Sequence, residues 1–161
     1  MQVALRRYRD TLRISGLAVI AFGVWTIIKG VVSLILLHID LAGMLGEDAE
    51  GLLAVVMLPL YLFLVGLLVA ELLMRIYIGR SACAAAAGTK KGNGYLVVCM
   101  IVIILNVISV GSDIRTLVEL IASGINEDLI DRIISLVFSF TSFYILLELF
   151  VTAIRIKRME A

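Results

Sequence analysis

The chain is poor in the residues that carry most soluble chemistry. It has one histidine, two cysteines, one proline and one tryptophan in 161 residues, and only 17% of its positions are charged. The lone histidine, His38, excludes a bis-histidine haem and leaves no histidine-rich metal site. Cys83 and Cys99 have no metal-ligand spacing. Both fall on the side assigned below to the cytoplasm, so free thiols are expected and not a disulfide. A nucleophile elbow, a histidine–cysteine dyad and a dinucleotide fingerprint are all missing. The stretch 79–94, GRSACAAAAGTKKGNG, offers glycines and two lysines, but it lacks Walker spacing and follows no strand. A flexible turn is the better reading. These absences argue against an enzyme, and no cofactor, metal or nucleic-acid partner is expected.

What the chain does have is apolar residues, 62% of the total, against about 45–50% in a soluble domain. They fall into four runs, at about 14–37, 52–78, 95–110 and 133–154. Crossing a bilayer takes about 20 mostly apolar residues, so four spans nearly exhaust the chain and leave no separate soluble domain. The expected fold is all-α: a polytopic membrane protein whose four transmembrane helices form an antiparallel bundle. The first run is too long for a cleaved signal segment and lacks a small-residue exit site, so it reads as a retained span.

Charge gives the orientation. Eleven of the fourteen basic residues lie at the N-terminus, around the middle link or at the C-terminus, whereas the other two links hold Arg115 and Arg132 amid nine acids. The positive-inside rule therefore places both termini and the middle link in the cytoplasm of a multi-pass plasma-membrane (inner-membrane) protein. Tyr8, Tyr77 and Tyr95 fall at that same interface, where amphipathic rings settle.

Within the spans, small residues and a few polar ones stand out. Gly16, Gly23 and Gly30 recur every seven residues, with Thr26 and Ser33 in the intervening turns. Such a stripe lets a second backbone approach closely, which is how helices associate in lipid. Pro59 lies inside the second run and removes one backbone donor, so a kink is expected. Gly88 is expected to end the second helix beyond the membrane surface. After the third run, SDIRTLVELIASG at 112–124 keeps a helical period, either as a protruding stalk or as an interfacial segment.

The candidate polar site comprises Lys29, Glu71, Asn106 and Glu148. An ionisable group inside a span is a site hypothesis by default. Glu71, in LLVAELLMRIYIGR, either binds a proton or cation or forms an i,i+4 ion pair with Arg75; its nearness to the membrane edge favours the pair. Glu148, in YILLELFVTAIRIKR, has Arg155, Arg13 and Arg75 as candidate partners, and a structural bridge is again favoured. Lys29 is too deep to reach headgroups comfortably, and the Asn106 side chain is its candidate acceptor. Glu71 and Glu148 are 77 positions apart, and the same offset aligns Lys29 with Asn106. GED at 46–48 answers NED at 126–128 with a small shift, so a tandem repeat of two helical hairpins is a candidate.

Two functions fit these features. One is a structural or accessory subunit that packs through its glycine-lined and polar faces, in a homo-oligomer or a larger membrane complex. The other is a small oligomeric transporter or channel using Glu71, Glu148 and Lys29. The first is favoured, because most of the polar residues have neighbours able to neutralise them.

Overall fold

A computed structural model describes the backbone of residues 2–45, 50–89, 92–123 and 127–160, and the side chains of residues 3, 5–36, 58–89, 92–122, 129–130 and 132–159. The described residues form four α-helices and no strand: α1 (Gln2–Leu45), α2 (Glu50–Ala86), α3 (Gly94–Ser123) and α4 (Glu127–Glu160). Each contains a stretch long and apolar enough to cross a membrane, at Leu5–Leu36, Leu58–Ala86, Gly94–Ala122 and Arg132–Met159. Only 11–22% of the residues in their most apolar windows are buried. Soluble monomers rarely expose more than a few hundred Å² of continuous apolar patch. These features are those of a multi-pass membrane protein.

The helices outrun the apolar windows because the flanking polar residues still favour helix. α2 continues through Pro59 without interruption and through the alanine run to Ala86. It then stops on a defined motif. Gly88 adopts φ +75°, its amide donates to the Ala85 carbonyl, and the Thr89 amide donates to Ala84. This pair of bonds satisfies the last carbonyls, and it requires a left-handed residue that glycine supplies without a Cβ clash. The segment 112–123 is continuous with α3. The GED and NED segments and the two lysines of the middle link fall wholly or partly outside the described residues.

The chain divides into two compact units, Met1–Val19 with Tyr77–Ala161, and Ile20–Ile76. In the first, the start of α1, the end of α2, the start of α3 and the end of α4 contribute to one core. Its members include Leu12, Ile78, Tyr95, Cys99, Leu146 and Leu149. α1 meets α2 at Gly16, where an added Cβ would lie 2.9 Å from the Gly79 carbonyl oxygen. α3 and α4 run in opposite directions, since Cys99 Sγ contacts the Leu146 carbonyl while Ser139 donates to Asp113 farther along. In the second unit α1 and α2 pack through Gly23 and Gly30. A Cβ at Gly23 would lie 3.1 Å from the Arg75 side chain, and one at Gly30 would lie 2.7 Å from Leu68.

Candidate functional site

The two candidate carboxylates, Glu71 and Glu148, behave differently from each other. Glu71 lies in the second unit, one helical turn before Arg75. Arg75 donates from Nε and from Nη2 to the same Glu71 oxygen, at 2.9 and 2.7 Å. The arginine side chain is only 5% exposed and the glutamate 36%. Its aliphatic stem lies against Gly23 of α1, where an added Cβ would come within 3.1 Å and push the arginine by a few tenths of an ångström. The glycine stripe and the ion pair thus form one structure: glycine admits the arginine, and the arginine holds the acid. Lys29 is half-buried on α1.

Glu148 lies in the first unit and forms no hydrogen bond or ion pair with any described residue. Of its candidate partners there, Arg13 is exposed and its carbonyl accepts a contact from Cys83 Sγ. Arg155 turns instead to Tyr8. It donates to the phenol oxygen at 3.4 Å, and its guanidinium carbon lies 5.9 Å from the ring centroid, within cation–π range. Glu148 is left lining an open groove of about 380 Å³ between α1 and α4. Arg7, Tyr8 and Thr11 form one wall, and Tyr144, Val151 and Arg155 stand among the residues of the other.

The remaining polar candidates are satisfied locally. Asn106 donates to the Val102 carbonyl one turn back, at 3.4 Å. Thr26 donates to Phe22 O at 2.9 Å. Ser33, expected on the packing face, is exposed. Gly16 and Gly23 are buried and Gly30 is half-buried, so the close approach in the stripe is made by its glycines.

No family model, curated protein or solved structure matches the chain. The described residues contain no group of three or more histidine, cysteine or acidic side chains placed to hold a metal. What the sequence did not single out is the groove itself. Tyr8 was expected as an interfacial ring; its capture of Arg155 depends on how α1 and α4 meet.

Proposed function

We propose that the chain is a non-enzymatic integral membrane protein acting as a structural or accessory subunit. In this reading its four helices form an antiparallel bundle with both termini in the cytoplasm. The observation that carries it is the Glu71–Arg75 pair, in which two hydrogen bonds to one carboxylate oxygen neutralise an acid that a transport site would need free. The buried glycines support it too, because they let helices pack where lipid gives no hydrophobic drive.

Duplication of a hairpin remains part of the proposal with one departure. The 77-residue offset that relates Glu71 to Glu148 carries Arg75 to Thr152. The second half therefore lacks the arginine that neutralises the acid in the first.

That departure favours a second reading, a small transporter or channel, at Glu148 alone. The acid lines a groove and forms no ion pair with a described residue, although Arg7 and Arg155 line the same groove. Reconstitution in liposomes separates the two readings. Glu71→Gln and Glu148→Gln are expected to weaken folding or partner capture while leaving no carboxylate-dependent ion flux to lose. A flux abolished by Glu148→Gln overturns the accessory reading. Labelling of both termini from the cytoplasmic face tests the orientation.

A further inference from the structure

Two exposed features of the first unit match in order and depth, and each offers a charge to the other: an arginine on α1 and a glutamate on α4. On α1, Arg6, Asp10, Arg13 and Leu17 follow one another at successive turns and are all exposed. Across the groove, Arg155, Glu148 and Tyr144 follow in the same order along α4, leading away from the chain terminus. At 100° per residue, Arg13 points about 165°, Leu17 about 125° and Asp10 about 105° from the mean direction of the α1 residues lining the groove, so this surface is turned away from the groove. One molecule cannot bring them together.

Depth is counted from the Tyr8–Arg155 contact. Asp10 lies about 3 Å along α1 from that level and Arg13 about 7.5 Å, while Glu148 lies about 10.5 Å along α4. The mismatch between Arg13 and Glu148 is about 3 Å, well within the reach of an arginine side chain. Leu17 and Tyr144 lie one turn deeper again, 55% and 64% exposed. Neither Asp10 nor Arg13 has a side-chain ion pair among the described residues, and neither does Glu148.

We propose that a second copy of the chain occupies the groove, with Arg13 of that copy paired to Glu148, its Asp10 set towards Arg155, and its Leu17 against Tyr144. This deepens the accessory-subunit reading and rests on its membrane placement, because copies inserted with the same orientation present these two faces at the same height. The contact is head-to-tail. A symmetric contact of the α1 face with itself would set Arg13 against Arg13. At the hydrocarbon boundary a charge pair is stronger than in water. Arg7 and Arg155 lie outward of Glu148, where salt screens charges over about 8 Å, and at that level the incoming copy brings both Asp10 and Arg6.

The test uses the full chain in nanodiscs of zwitterionic lipid, with both termini first confirmed on one face by labelling. Copies carrying Arg13→Cys are mixed with copies carrying Glu148→Cys, both in a Cys83→Ala, Cys99→Ala background, and oxidised. Cross-links are expected between the two kinds of copy and not within either kind. In the native-cysteine background, Arg13→Glu and Glu148→Arg are each expected to lower the dimer association constant about tenfold, and the double variant to regain most of it. Native mass spectrometry reads the association, and helical circular dichroism confirms that each variant is folded. Cross-linking as strong within the Arg13→Cys copies as between kinds overturns the proposal, as does a monomeric wild type with termini on one face. Termini on opposite faces overturn the membrane reading together with it.

Discussion

Arg75 grips a single oxygen of Glu71 with two of its nitrogens, from one turn farther along the same helix. The chain holds a second pair of the same spacing, Arg115 and Glu119 at 3.1 Å, with 84% and 65% of the two side chains exposed. The pairs differ in order as well as burial. Acid before base at i,i+4 suits the helix dipole better than the reverse. Glu71→Ala is expected to cost about 2 kcal/mol, since it removes two charge-assisted hydrogen bonds from a nearly buried guanidinium. Glu119→Ala is expected to change stability by less than about 0.5 kcal/mol. Unfolding of both variants in the same detergent checks the contrast, and equal losses would show that burial does not set the value of the pair.

Two of the stripe glycines, Gly16 and Gly30, are expected to rank by what their new Cβ would strike. At Gly16 it meets the Gly79 backbone carbonyl at 2.9 Å, which cannot move aside without shifting α2. At Gly30 it meets the end of the Leu68 side chain at 2.7 Å, which can change rotamer. Gly16→Ala is therefore expected to destabilise by about 1–3 kcal/mol, and Gly30→Ala by clearly less despite the shorter contact. Thermal unfolding of the two single variants measures the order, and the reverse order would count against the packing assigned to Gly16.

Four apolar helices were legible because run length alone counts towards a span. Which face of each helix is buried was not. In lipid the outward residues are as apolar as the inward ones, so periodicity carries little signal: Ile14 and Leu17 are exposed on the helix that buries Leu12 and Val19. The Glu71–Arg75 pair follows from local spacing and was readable. Arg155 was not, because its Tyr8 partner is 147 positions away. Hydroxyl residues gave a mixed result for a physical reason. Thr26 satisfies itself on its own helix, so its presence in the stripe places no demand on a neighbour.

Gly88 isolates a backbone effect from packing. Nothing lies within 4 Å of the position its Cβ would take, so only its φ of +75° opposes a side chain. Gly88→Ala is expected to cost about 1–2 kcal/mol, and Gly88→Asn less, because asparagine tolerates the left-handed region better. Hydrogen exchange at Gly88 and Thr89 reports the effect directly, since both amides donate in the cap. Faster exchange confined to these amides in Gly88→Ala is the expected result. Unchanged protection would mean that the turn is held by something other than the cap.

Ser139 and Asp113 test whether the outer parts of α3 and α4 stay together. The hydroxyl donates to Oδ2 at 3.2 Å between two half-buried side chains. Around them most neighbours are exposed, including Ile108, Ile114, Val137 and Phe140. With so little buried apolar surface nearby, one hydrogen bond is a large fraction of the local cohesion. Ser139→Ala is expected to cost about 1 kcal/mol globally. It is expected to raise hydrogen exchange along 104–122 and 132–140 by about fivefold, while leaving the Cys99–Leu146 level protected. Uniform loosening of both helices would instead show that this contact is coupled to the core rather than holding a separate, weaker zone.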